Sequence, residues 1–261
     1  MKLGISYNIF DGEELLEASI KAIRDSVDYV SVIYQLESNF GDKCSPTLEP
    51  LLEDLKNKGL IDFIYRYKGR NNPQTNEIEK RNIGLELSRY NKCTHHLSID
   101  CDEFYIKEDF DKAKKLIENN GYDVTSCDIV NYHKLPTYQV TEKIEPFRVP
   151  FIFEIKKSNY FTFRGYYIDL IDPTRMISDY EKPYHFKDNE LIMHHMTTIR
   201  KDLKKKYSSW TARLNFKSDD IINTRVNEVI NYEINMGGEP SEIYGTHPKC
   251  IEVENIFNII L

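Results

Sequence analysis

The feature that most constrains this chain is the regular alternation of short β-branched, apolar runs with amphipathic segments over its first hundred residues. Residues 3–7 read as a strand, and Asp11 is the expected cap of a helix carrying Leu15, Leu16, Ala18, Ile20 and Ile23. Residues 29–34, Tyr-Val-Ser-Val-Ile-Tyr, form a second strand. Pro46 opens a helix with Leu48, Leu51, Leu52 and Leu55 at helical spacing, and Gly59 stops it. A strand over 61–65, a helix over about 76–90 (Ile78, Ile83, Leu85, Leu87) and a strand over 96–99 that ends at Asp100 complete the pattern. Three strand–helix units followed by a strand predict an α/β fold with a mostly parallel sheet covered on both faces. Past Asp109 the pattern loosens. A helix over 111–119, a strand over 123–132, β-rich structure over 146–172 and closing helices over 198–207 and 219–235 are expected. Residues 1–261 are expected to form one domain.

Composition excludes several classes. The 261 residues carry 35 Lys and Arg against 42 Asp and Glu, a net charge of −7, so no uniform positive field draws a nucleic-acid partner. With 40% hydrophobic and 30% charged residues the chain can bury a core and is not a disordered acidic polymer. No run approaches the roughly 18 apolar residues of a membrane span, and residues 1–10 lack the features of a signal peptide. Five cysteines, odd in number and never in a C-x-x-C pair, argue against a disulfide framework or zinc site and for a cytoplasmic location. The apolar ending, 256–261, should pack on the core or on a partner, and a homo-oligomer is left open.

Chemistry concentrates where ligands of open parallel sheets sit, at the carboxyl ends of the strands. Asp100-Cys101-Asp102-Glu103-Phe104 follows the fourth strand, and in an extended chain Asp100 and Asp102 project in the same direction. Carboxylates so placed suit Mg²⁺ or Mn²⁺ bridging to substrate phosphates.

These residues resemble the D-x-D-E-F motif of GT-A-fold glycosyltransferases in the broad family-2-like group. Lys80-Arg81-Asn82-Ile83-Gly84-Leu85 is similar to the group's K-R-N-x-G-L segment, and Ile192-Met193-His194-His195-Met196 with Arg200-Lys201-Asp202 to its late histidine strand and basic helix. Asp172-Pro173-Thr174-Arg175 is similar to a segment of glycosyltransferases from large DNA viruses and bacterial surface-polysaccharide clusters. The resemblance implies a GT-A, Rossmann-like sheet with a nucleotide-sugar-binding half over 1–105 and a more irregular, β-rich acceptor half over 106–261. It departs from the group after strand two, where Tyr34-Gln35-Leu36 stands in place of an acidic residue.

The resemblance also implies roles. Asp102 would ligate the metal, and Asp100 would contact the ribose or the metal through water. A late histidine completes the metal site in such enzymes; the match selects His194, although only one of His194 and His195 can face the site. Imidazole favours Mn²⁺ over Mg²⁺. Lys80, Arg81, Arg200 and Lys204 would neutralise the donor diphosphate, with Arg200 and Lys204 paired at i and i+4. Ser6, Tyr7, Asn8 and Gln35 would recognise the base. The implied reaction is inverting transfer from a nucleoside-diphosphate sugar, a UDP-sugar first, to a hydroxyl of a glycan, lipid-linked or protein acceptor. Its base would be Glu154, Asp169 or Asp172; desolvation can raise Asp169 or Asp172 toward a useful pKa, and Asp172 is favoured because Pro173 fixes the turn and Arg175 is near enough to orient the carboxylate or contact the acceptor. The alternatives are a nucleotidyltransferase, a sugar-nucleotide-binding module or a DNA-base glycosyltransferase.

Overall fold

The computed structural model describes residues 1–69, 72–141, 148–163, 166–210, 213, 220–234 and 248–261. The first half alternates as expected: β1 (Leu3–Ile9), α1 (Glu13–Ile23), β2 (Tyr29–Tyr34), α2 (Leu48–Asn57), β3 (Phe63–Arg66), α3 (Pro73–Tyr90) and β4 (His95–Asp100). Then follow β5 (Glu103–Phe104), α4 (Lys107–Asn120), β6 (Val124–Asn131), β7 (Tyr138–Val140), β8 (Arg148–Glu154) and β9 (Phe161–Thr162). A 3₁₀ turn at Pro173–Arg175 leads to β10 (Met176–Ile177), β11 (Pro183–Phe186), β12 (Ile192–His195), α5 (Leu203–Ser209), α6 (Asp220–Asn231) and β13 (Cys250–Glu252).

The main sheet runs β3-β2-β1-β4-β8-β6-β12-β5, with β11 also on β6. The first four strands are parallel in the order 3-2-1-4, which places a switch point between β1 and β4. β8 is antiparallel to both neighbours and separates β4 from β6. The result is the expected GT-A-like, Rossmann-type α/β architecture. β1 and β2 are buried along their whole length because helices cover both faces, so they read as unbroken apolar runs.

α3 lies directly on β1. A Cβ built on Gly84 overlaps the Ser6 hydroxyl and meets Ile33 Cδ1 at 3.3 Å, so only glycine allows this approach. A helical Gly→Ala change ordinarily stabilises by about 1 kcal/mol. Gly84→Ala should instead destabilise, by about 1–3 kcal/mol of overpacking, read from the urea midpoint.

Four expectations are corrected. Asp11 does not cap α1; Gly12 takes that position at φ 82°, and Asp11 turns into the cleft described below. The chain turns at Cys101 and Asp102 instead of staying extended, so strand alternation does not orient the two aspartates. Of the closing helix over 198–207, only the part after Asp202 forms, because the Asp202 carboxylate accepts the Lys205 amide and starts α5 there. Over 146–172, β8 and β9 form, but 166–172 is irregular; residues 146–147 and 164–165, like 219 and 235 of the last helix, lie outside the described residues. Of the apolar ending, Phe257 packs tilted against Phe104 with ring centroids 4.9 Å apart and Ile259 is buried, while Ile256, Ile260 and Leu261 are exposed. No helix among the described residues is long and apolar enough to cross a membrane.

Candidate functional site

A polar cleft of about 160 Å³ opens at the carboxyl ends of β1, β2 and β4. Asn8, Asp11, Gln35, Lys80, Asp100, Asp102, Arg200, Lys206 and Trp210 line it. Burial normally obliges polar atoms to find partners. Here Asn8 Nδ2 and Oδ1, Gln35 Oε1 and Asp11 Oδ2 are buried and make no hydrogen bond among the described residues.

Asp102 is the electrostatic centre. Its Oδ2 accepts from Arg200 Nη2 at 2.5 Å and Lys206 Nζ at 2.9 Å, and stands 3.6 Å from His195 Nε2. Burial alone would raise this carboxyl, but Lys206 and Arg200 hold it well below the usual range. His195 is oriented by Asn131, whose Oδ1 lies 3.0 Å from its Nδ1. His194 points the other way. Its Nδ1 meets the Tyr132 hydroxyl at 2.9 Å, its ring packs on Phe257, and burial lowers its pKa to about 4. The structure therefore brings His195, and not His194, to Asp102.

Asp100 belongs to a second network beneath the cleft. Arg175, almost fully buried, donates to Asp100 Oδ2 at 2.5 Å, to Glu103 at 2.6 and 2.8 Å, and to Asp172 Oδ2 at 2.9 Å. Arg81 donates to Ser98 at 2.9 Å and to Asp172 at 3.0 Å, and lies 3.5 Å from Asp100. Both guanidiniums are consumed by the protein's own carboxylates. That corrects Arg81 as a diphosphate contact. It also overturns the expected raised pKa of Asp172: burial would raise it, but Arg81 and Arg175 hold it down at about 2. Asp172 also accepts from the Thr174 amide and hydroxyl, so it is the turn-forming residue of its segment.

Other candidates separate cleanly. Glu154 pairs with His95 at the start of β4, the opposite end of that strand from Asp100, roughly 17 Å away along it. Asp169 is exposed in the irregular segment ahead of the 3₁₀ turn. Ser6 is buried under α3 with its Oγ 3.3 Å from His96, and Tyr7 is buried on the other face against Ser19, so neither reaches the cleft. Asn8 and Gln35 do reach it. Lys80 lines it with its Nζ 2.8 Å from Glu77. Lys204 is exposed on a neighbouring groove, and Lys206 occupies the position expected of it.

Sequence reasoning missed Asp11, Glu103 and Trp210 as parts of the site, preferred Lys204 to its neighbour Lys206, and placed Arg175 with Asp172 but not with Asp100 and Glu103. Glu103 and Arg175 both stood within the quoted motifs, but they are 72 positions apart, and nothing in either motif announces the other.

No family model matches the chain, and no curated protein sequence matches it. Among solved structures, S. aureus TarS is similar at TM-score 0.49 and 12% identity, over 91% of this chain but only 44% of TarS. TarS 1–349 in complex with UDP-GlcNAc is similar at TM-score 0.45 and 13% identity, over 88% of this chain and 72% of that one. A mannose-1-phosphate geranyltransferase from Thermus thermophilus is similar at TM-score 0.34 and 11% identity, over 59% of this chain and 50% of that one.

Proposed function

We propose that this chain is a glycosyltransferase that moves a sugar from a nucleoside-diphosphate donor, a UDP-sugar first, to a hydroxyl of a glycan, lipid-linked or protein acceptor. The observation that carries the reading is one cleft in which unsatisfied amides stand beside fixed cations. Buried amide atoms of Asn8 and Gln35 without a partner among the described residues line it, together with Asp102, Lys80, Arg200 and Lys206. Amides of this kind suit the hydrogen-bonding edge of a nucleobase. Fixed cations suit the charge that develops on a departing diphosphate.

Asp102 and His195 would also hold a divalent ion, Mn²⁺ or Mg²⁺: their Oδ2 and Nε2 are 3.6 Å apart, and the ion would take the place at Oδ2 that Arg200 and Lys206 fill here. Among the described residues, no cluster of three or more His, Cys, Asp or Glu gathers there, so these two would hold the ion together with donor phosphates. When bound, such an ion supplies charge neutralisation for the leaving group. Of the carboxylates considered for the acceptor's proton in an inverting step, Asp172 is taken up by Arg81 and Arg175 and Glu154 lies at the far end of β4 from the cleft, which leaves Asp169 for the role.

A thermal-shift panel of nucleoside diphosphates and their sugars, with and without Mn²⁺, tests this. A ligand at a hundred times its Kd stabilises by about 2.7 kcal/mol, so one nucleotide should stand out as a rise in Tm. Each variant is compared with its own ligand-free baseline. His195→Ala should lose the Mn²⁺-dependent part of that rise, and His194→Ala should keep it. No response to any nucleotide would sink the reading; a response indifferent to Mn²⁺ would remove the ion alone.

A further inference from the structure

The main sheet ends at β3, which among the described residues pairs with β2 alone. The Tyr67 amide donates to the Tyr34 carbonyl at 2.7 Å, and the two-residue period of a strand then turns the backbone groups of Phe63 and Tyr65 inward to β2 and those of Ile64 and Arg66 to the open edge. Long exposed edges are ordinarily blunted by charge, proline or a covering loop. This one instead exposes two aromatic rings, Phe63 at 40% and Tyr65 at 39%. Tyr65 continues into a shallow groove with Ile83, Leu87 and Tyr90 of α3, and Tyr90 is 86% exposed.

The segment Asp62-Phe63-Ile64-Tyr65-Arg66 is self-complementary when read against its own reverse. An acid faces a base, an aromatic faces an aromatic, and isoleucine faces itself. We propose that β3 is the interface between two copies of this chain, paired antiparallel about a two-fold axis through Ile64. The backbone permits the same register. Ile64 is the residue whose backbone groups face out at the centre of β3, so Ile64 and Ile64 of the second copy form the hydrogen-bonded pair that exchanges both N–H···O bonds. Phe63 then sits opposite Tyr65 as the close, non-hydrogen-bonded pair on either side. Asp62 falls opposite Arg66 at both ends. Val30 and Arg24 hold Asp62 Oδ2 at 2.7 and 3.3 Å, which fixes the carboxylate at the edge and leaves Oδ1 without a partner among the described residues. On the other face, rings from both copies stack beside the α3 groove, where Tyr90 adds apolar area. A foreign strand would gain the backbone bonds but not the matched charges and rings, so the edge favours its own copy.

Sedimentation of the full chain across a wide concentration range should show the 30.8 kDa monomer passing to twice that mass. Tyr65→Lys places a like charge beside Arg66 at the seam and should weaken association at least tenfold without moving the unfolding midpoint, since the side chain is exposed. Ile64→Cys under mild oxidation should give a covalent dimer whose disulfide maps to position 64 of both copies, with the wild type under the same oxidant as control for the native cysteines. A monomer at every concentration overturns the proposal. So does a dimer that survives Tyr65→Lys and yields no crosslink at position 64.

Discussion

Asp102→Asn should reduce sugar transfer by at least about a hundredfold and also lower stability. Among the described residues the carboxylate is the only acid within reach of Arg200 Nη2, Lys206 Nζ and His195 Nε2 together, so its charge sets the field of the cleft. Asn keeps the shape and one acceptor oxygen but not the charge. Arg200, with its side chain 2% exposed, then faces Asn and the more distant Asp11, whose Oδ2 is 3.9 Å away. Breaking a buried ion pair by removing one partner costs about 3–5 kcal/mol, and a retained acceptor places this case at the low end. The sign of the pH dependence follows from the depressed pKa. In the wild type this group contributes stability above the ordinary carboxylate pKa, and the contribution is lost as pH falls through the lower folded value. The variant should lack that acid limb. Urea denaturation over pH, beside a transfer assay with whichever donor the thermal panel selects, measures both effects, and near-wild-type transfer would remove Asp102 from the mechanism.

Arg175→Met should be the most destabilising single change in the site. It leaves Asp100, Glu103 and Asp172 converging on an uncharged side chain, where one buried guanidinium had bonded all three. A loss of about 3–5 kcal/mol is expected at neutral pH. Like charges that lose their counter-ion raise one another's pKa. The penalty should therefore shrink as pH falls and the crowded carboxyls protonate. The wild type behaves oppositely: Asp172, held at about 2, contributes stability above the ordinary carboxylate pKa that is lost only as pH falls toward 2. Midpoints of urea unfolding at several pH values separate the cases. An equal penalty at neutral and acid pH would assign the effect to lost packing.

The sheet was legible in the sequence because its strands are short apolar runs set between helices of clear period; β2 falls on the expected residues 29–34. Asp100 and Asp102 were legible because a strand end and paired acids coincide. What failed was facing. Asn8 lies beside Asp100 in register and reaches the cleft, whereas Ser6 is one pleat lower, and Tyr7 points to the face that α1 covers. His194 and His195 present the same problem, and the motif match selected the residue that packs on Phe257. Asp172 failed for another reason. Its turn was visible, but Arg81 arrives from α3, 91 positions earlier, and converts a candidate base into an anchored anion.

The placement of β8 and Arg175 has a consequence for how the chain is made. β4 emerges in synthesis with one edge on β1, but its other neighbour, β8, begins only at Arg148. Asp100 has Arg81 of α3 at 3.5 Å but must wait 75 residues for Arg175. At ribosomal rates of ~5–20 residues per second, that interval is about 4–15 seconds. Until β8 emerges within it the nascent chain carries a bare strand edge, and throughout it Asp100 and Glu103 lack the guanidinium that joins them. The cleft end of the sheet can therefore mature only after the segment that follows it in sequence has been translated, and the cleft is among the last parts of the molecule to acquire its native electrostatics.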